Sequence, residues 1–401
     1  MSKLYYSISK EALMPCEELL DADMSQRKLH IGILRESDSC EDRVAMTPES
    51  VDVLVRHGHY VSVEKFAGVG SNYTDLQYSE VGGHIVERNE VYMADILFKI
   101  NPPTIEEVEQ MRERQLIFSC LSAYRLSEEC IRRLSEKHIT AIGLENIKDR
   151  FGHYPIVRSM SEIAGSVSVQ VVSEYLSKSS GGKGILFGGI SGVCPAEVVI
   201  IGAGTAAEFA ARSALGMGAF VRIFDNSVHR LQCLQRNIGM RLYTSVLHPQ
   251  TLTKALSSAD ALICAAYIKK NQLHSIITEE MVMMMKHGTV ILDLSIDGGG
   301  CCETSEVRTL ADPTVVKHGV IHYCVPNITS RVPRTASMAI SNIIVNIILN
   351  MGHQSNISAW LKTDADLRNG VYMYNGILTN PYVGNLFGIP SQDIHLLMAA
   401  F

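Results

Sequence analysis

VVIIGAGTAAEFAARSALGMGA, residues 198–219, carries the decisive pattern of this chain. Four aliphatic residues run directly into Gly202-Ala203-Gly204-Thr205-Ala206-Ala207, and a helical period begins at once. The order reads as strand, tight turn and helix. Gly202 permits the turn, Gly204 lets the backbone approach a pyrophosphate, and Ala207 is small enough for helix and strand to pack closely. Thr205 and Ala206 open the helix, whose unpaired N–H groups and positive dipole end face the same phosphates.

Asp225 ends the next strand, VRIFD (221–225), about 20 residues beyond the turn, where a ribose-binding carboxylate is expected. A carboxylate there accepts hydrogen bonds from adenosine ribose hydroxyls and repels a 2′-phosphate, so the expected cofactor is NAD rather than NADP. Arg222 and Arg230 flank this position and soften the preference. Further strands follow at ALICAA (261–266), TVILDLS (289–295) and VIHYCV (320–325). Five strands separated by helices predict a doubly wound parallel sheet of the Rossmann type.

Upstream, a second alternation is legible. HIGILRE (30–36), YVSVEKF (60–66), ADILFKI (94–100), QLIFSCL (115–121) and TAIGLEN (140–146) read as strands, with helical periods between them. Thr47 and Pro48 supply an N-cap and a first-turn proline, which leaves Arg43 in the loop just before a helix. A long helix is predicted from about Ser161 to Leu176, ended by Ser179-Ser180-Gly181-Gly182. After Pro333 a helical period covers 335–350, and a Gly/Asn/Tyr-rich tail is expected to return to the first domain.

The fold class is therefore α/β, with two doubly wound Rossmann-like domains. The expected division is an extension at 1–27, a substrate domain from 28–159 and 334–401, and an NAD-binding domain at 160–333 inserted into it. A chain of 401 residues exceeds one compact core, in keeping with two domains. Its net charge of −6, without a basic block, argues against nucleic acid or an anionic membrane as partner. No signal-peptide order and no 18-residue apolar run is present. The ten cysteines show no metal-binding spacing, and the adjacent Cys301 and Cys302 read as packing residues; reduced thiols in a cytoplasmic protein are expected.

Several long segments bear a family resemblance: RESDSCEDRVAMTPESV (35–51), RSMSEIAG (158–165), the 198–219 stretch, TVILDLSIDGGGC (289–301) and HYCVPNITSRVPRTAS (322–337). In this order they resemble the alanine dehydrogenase family, which is related to the nucleotide-binding subunit of proton-translocating transhydrogenase. The resemblance covers roughly 28–350. It implies an inserted Rossmann domain, reversible NAD-dependent deamination of L-alanine to pyruvate and ammonium, and a homo-oligomer. By motif it implies that Arg43 grips the substrate carboxylate, which a guanidinium does with two parallel hydrogen bonds. Asp297 matches the active-site aspartate beside the nicotinamide, and Ser161 and Asn327 match cofactor contacts. Ala265 and Ala266 fall where small residues let the dinucleotide cross the strand end.

Two positions depart from the family. Asn101 stands where a second basic residue usually binds substrate, and Ser122 stands where the active-site histidine is found. Neither an amide nor a serine hydroxyl replaces those functions at neutral pH. Lys99 lies on the same strand face as Asn101, one pleat away, and its long stem makes it the candidate for the missing charge. The site expected from sequence thus has Arg43, Lys99 and Asp297 as catalytic residues. Besides alanine dehydrogenation, two alternatives remain: a nicotinamide oxidoreductase with another small-molecule substrate, and a catalytically silent NAD-binding protein.

Overall fold

A computed structural model describes residues 28–38, 40–121, 126–266, 275–351 and 357–400. The expected extension at 1–27 and the serine at 122 lie outside the described residues. The first sheet contains β1 (His30–Ile33), β2 (Tyr60–Glu64), β3 (His84–Val86), β4 (Ile96–Phe98), β5 (Leu116–Ser119) and β6 (Thr140–Gly143). The second contains β7 (Glu197–Ile201), β8 (Phe220–Phe224), β9 (Tyr243–Ser245), β10 (Ala261–Cys264), β11 (Val290–Asp293), β12 (Thr314–Lys317) and β13 (Val320–Tyr323). Two late strands, β14 (Val371–Tyr374) and β15 (Ile377–Leu378), return to the first sheet.

The first sheet runs β15-β14-β6-β5-β4-β1-β2-β3, and the second β12-β13-β11-β10-β7-β8-β9. All neighbouring pairs are parallel except β6/β14, β14/β15 and β12/β13. Parallel strands need helical crossovers that cover both faces, which explains why β4, β5, β6, β10 and β11 are buried along their whole length. Each sheet also reverses its strand order once, between β1 and β4 and between β7 and β10. The crevice beyond the carboxyl ends of such strands is where open α/β sheets bind ligands.

The sheets are larger than the five strands expected for each. The additions lie at the outer ends of the sheets, and three of the five sit in hairpins. His318-Gly319 and Asn375-Gly376 both have positive φ at each residue, which suits two-residue hairpin turns. The Asn-Gly pair between apolar residues was a legible signal for the second hairpin.

The helix Pro333–Met351 sends Ile340, Ile344 and Ile348 into the core of the first sheet, beside Ile31, Phe98 and Phe118. The same helix fixes the Arg43 loop, because Ser337 and Ser341 accept the backbone N–H of Val44 and Thr47, each at 2.9 Å. Thr47 occupies the N-cap position before Pro48 as expected, but its side chain makes no capping hydrogen bond.

The long helix spans Pro155–Tyr175, starting earlier than its period suggested. It packs on the helix Thr205–Gly216 through Gly165, where a Cβ would lie 2.2 Å from the carbonyl oxygen of Ala206. A residue larger than glycine would force the helices apart. Ser161, one turn earlier on the same face, is thereby brought to the start of the nucleotide-binding helix.

Candidate functional site

Ser161, Gly202, Gly204, Thr205, Ala206, Asp225, Arg230, Ala265 and Ala266 line one cleft of about 560 Å³, within the size range of small-molecule sites. Gly202 has φ of +108°, and a Cβ on it would lie 2.6 Å from the Ala265 carbonyl oxygen. Only glycine serves there, by both backbone conformation and space. A Cβ on Gly204 would meet no protein atom within 4 Å, so the turn presents bare backbone to the cleft. Asp225 accepts the N–H of Ala203 at 2.8 Å and that of Ser227 at 2.7 Å, one on each oxygen. These bonds hold the carboxylate at the cleft with acceptor capacity remaining, the arrangement a ribose diol requires. Arg222 turns toward Glu197 and Ser258, and only Arg230 of the two flanking arginines lines the cleft. The residues present therefore fit a dinucleotide.

Asp297 lies in the 3-10 turn Ile296–Gly298 beyond β11, with its side chain on the exposed side. Asp293 builds that loop. Its two oxygens accept the N–H of Ser295, the N–H of Cys301 and the hydroxyl of Ser305, at 2.9, 2.8 and 2.8 Å. Burial pushes the Asp293 carboxyl up, and these donors hold it down. The Ser295 hydroxyl in turn donates to the Ala266 carbonyl at 2.5 Å, tying the Asp297 loop to the dinucleotide strand end. Asp293 was not singled out from sequence, although it lies within the same motif, four residues before Asp297.

Arg43 is 9% exposed and follows β1. Its Nε and Nη2 donate to the two oxygens of Glu41 at 2.7 and 2.6 Å, a bidentate pair. Its Nη1 donates to the Thr329 hydroxyl at 3.2 Å. Burial pulls the guanidinium's pKa down, and the Glu41 carboxylate more than offsets this, so Arg43 stays a cation. Asn327 and Ser330 complete the cluster. The Asn327 amide donates to Glu41 at 2.8 Å and to Ser330 at 2.7 Å, and its oxygen accepts the Thr329 hydroxyl at 2.8 Å. Asn327, expected at the cofactor, takes part in the network that joins the second sheet to Arg43. Glu41 and Thr329 carry no sequence signal for this role, because their partners are remote along the chain.

Lys99 is placed differently from its expected position. Its side chain is 1% exposed, and its Nζ lies 2.5 Å from Glu107 Oε2. Glu107 is also 2% exposed; it caps its own helix by accepting the Thr104 N–H and receives the Ser37 hydroxyl and Arg88. A buried carboxylate needs a countercharge, and Lys99 supplies it. The Lys99 ammonium is thus committed to Glu107. Asn101 and Lys99 border one small cavity apart from the dinucleotide cleft, and the Asn101 backbone N–H donates to Glu36 at 3.2 Å. Among the described residues, its side-chain Nδ2 is buried without a hydrogen-bond partner. Glu36 spans the ends of β1 and β4, and burial pushes its carboxyl up to about 8, against the pull of Lys99.

Two doubly wound sheets, one with a dinucleotide turn in a cleft beyond its strand ends and the other with a buried arginine hydrogen-bonded to residues that follow the first's last strand, define a dinucleotide-binding α/β protein of the dehydrogenase kind. Two family models match it: the alanine dehydrogenase/PNT N-terminal domain over 32–164 and the C-terminal domain over 168–381. The chain belongs to the alanine dehydrogenase/PNT family. It is 37% identical to an alanine dehydrogenase of Staphylococcus saprophyticus over 366 residues, covering 91% of this chain and 98% of that one. A solved L-alanine dehydrogenase structure superposes with a TM-score of 0.84 at 33% identity, over 90% of this chain and 99% of that one. A transhydrogenase from Sinorhizobium meliloti shares the fold, with a TM-score of 0.75 at 22% identity over 88% of this chain and 99% of that one. Among the described residues, no helix is long and apolar enough to cross a membrane.

Proposed function

We propose that this protein is an NAD-dependent amino-acid dehydrogenase that interconverts L-alanine with pyruvate and ammonium. The observation that carries this reading is the Arg43 cluster, a buried cation hydrogen-bonded to residues that follow the last parallel strand of the dinucleotide sheet. Since Glu41 occupies one edge of the guanidinium, the substrate carboxylate is gripped at the remaining Nη1–Nη2 edge. Asn101 offers a neutral donor, its Nδ2, where the family resemblance implies a cation. Lys99 acts from behind, neutralising Glu107 and lowering the cost of an ionised Glu36.

Gly202, Gly204, Thr205 and Ala206 cradle the pyrophosphate of NAD, Asp225 and Arg230 border the adenosine ribose, and Ser161, Ala265 and Ala266 shape the path between. When bound, NAD supplies the acceptor for the hydrogen on the substrate Cα. Asp297 takes a proton from the substrate ammonium, and Arg43 fixes the orientation that makes the transfer productive.

The reading includes a substrate domain built from 28–159 and 334–401 around an NAD-binding domain at 160–333. It also includes a cytoplasmic homo-oligomer, supported by the family relationship and by the free thiols of the nine described cysteines. Steady-state oxidation of NADH with pyruvate and ammonium, beside a panel of 2-oxo acids, tests it. Pyruvate with the highest kcat/KM supports the reading. Preference for a different 2-oxo acid would move the substrate, a result that the neutral Asn101 makes the principal alternative.

A further inference from the structure

Glu145 is a titratable group that the reading above leaves unused, and its position gives it a task. It lies just beyond β6, in the 3-10 turn Leu144–Asn146. Strands β5 and β6 are parallel, with Ser119 opposite Gly143, so continuing that register sets Glu145 abreast of Leu121. Leu121 immediately precedes Ser122, the position at which the family resemblance implies a histidine. The absent side chain of Gly143 keeps the two close. A Cβ built there would lie 3.4 Å from Leu121 Cβ and 3.5 Å from Glu145 Oε2.

Two more observations direct the carboxyl toward chemistry. Among the described residues, Oε2 of Glu145 is sealed from solvent and has no hydrogen-bond partner, a costly state for a carboxyl oxygen unless a ligand or water completes it. The N–H of Cys120, on the same strand end, donates to the Ile100 carbonyl at 2.8 Å, directly before Asn101. Glu145 and Asn101 therefore flank one short segment.

We infer that Glu145 is the acid–base residue for hydrolysis and formation of the imine, in place of the histidine that Ser122 does not supply. This rests on the dehydrogenase reading above. In the deamination direction the protonated imine left after hydride loss is attacked by water. A C–O bond forms at the former Cα, the C=N π pair moves to nitrogen, and the water proton passes to Glu145. The carboxylic acid returns that proton to the amine nitrogen of the carbinolamine. The C–N bond then breaks as the hydroxyl O–H pair forms the pyruvate C=O. Glu145 takes the hydroxyl proton and passes it to the departing ammonia, so that ammonium leaves and the carboxylate is restored.

Burial raises the Glu145 carboxyl to about 7, against hydrogen bonds from its own backbone and that of Leu121. A group near the working pH exchanges protons in both directions, as this cycle requires.

The test uses the full-length protein and the variants Glu145→Gln and Glu145→Asp. With Glu145→Gln, kcat for pyruvate amination should fall by about 100-fold or more, the usual share of acid–base help. The Kd for NADH and the KM for pyruvate should stay within about threefold, and the limb of the pH–rate profile near pH 7 should vanish. Glu145→Asp should recover part of kcat and keep a titrating limb. Normal kcat with an unaltered pH profile in Glu145→Gln overturns the assignment. So does parallel loss of NADH binding and activity in both variants, which marks a structural role. Failure of the unmodified protein to turn over any 2-oxo acid while binding NADH overturns the dehydrogenase reading itself, and the Glu145 assignment with it.

Discussion

Glu41 holds two of the three nitrogens of the Arg43 guanidinium, at 2.7 and 2.6 Å, and is itself held by Asn327 and Ser330 from the other half of the molecule. The arginine is thereby immobilised before any substrate arrives, and little side-chain entropy remains to be lost on binding. Replacing Arg43 by lysine keeps the charge but loses both the fork and its fit to Glu41. The KM for pyruvate in Arg43→Lys should rise by about tenfold or more, equivalent to about 1.4 kcal/mol. Initial rates at saturating NADH and ammonium measure it.

Asp297→Asn preserves size and most hydrogen bonding while removing the base. Its kcat should drop by about 100-fold, with NADH affinity nearly unchanged. Fluorescence titration of NADH beside steady-state kinetics separates the two quantities. Full activity in both this variant and Arg43→Lys would show that the family mechanism does not operate here.

Asp225 sets the nucleotide preference through charge and hydrogen bonding at one strand end. NADH should bind more tightly than NADPH, and Asp225→Ala should narrow the gap by losing an acceptor and a repulsive charge together. Arg230, which lines the same cleft, favours NADPH once the carboxylate is gone. Parallel titrations of both cofactors decide the matter, and equal affinities in the unmodified protein would refute it.

Lys99 should behave as a stability residue. Lys99→Met leaves Glu107 buried with only Arg88 as a charged partner, at 3.4 Å, and should cost about 3 kcal/mol. Urea denaturation measures the loss. A large rise in the pyruvate KM with unaltered stability would instead place the Lys99 ammonium on the substrate.

Glu36 provides a dependence on pH. Its carboxyl is raised from 4.5 to about 8 in the folded state, so the fold binds its proton more tightly than the unfolded chain does. The resulting stabilisation is complete below about pH 4.5 and is lost as the pH climbs through 8. Glu36→Gln should flatten the decline between those limits. Part of the slope should persist, because Glu145 is shifted in the same direction. Thermal unfolding at a series of pH values reads this out.

The turn at Gly202, the helix that follows and the carboxylate at Asp225 were legible in the sequence because each depends on residues close along the chain. Local spacing is enough to specify a strand end, a positive φ and a helix N-terminus. Parallel strands were legible for a related reason, since burial on both faces demands unbroken apolar runs such as those of β7, β10 and β11. The strands β3, β9, β12, β14 and β15 lie at the outer ends of the two sheets, and their existence depends on a neighbour to pair with. The state of the charged residues was decided elsewhere. Nothing near Lys99 in sequence distinguishes a lysine aimed at substrate from one sealed against Glu107. The difference is a matter of which carboxylate the helix Ile105–Gln110 brings under the sheet. Arg43 meets Thr329, and Glu41 meets Asn327, each across 286 residues of chain. Such pairs exist only when two sheets are packed with their carboxyl ends together, because a buried charge takes its partner from whatever the fold places beside it.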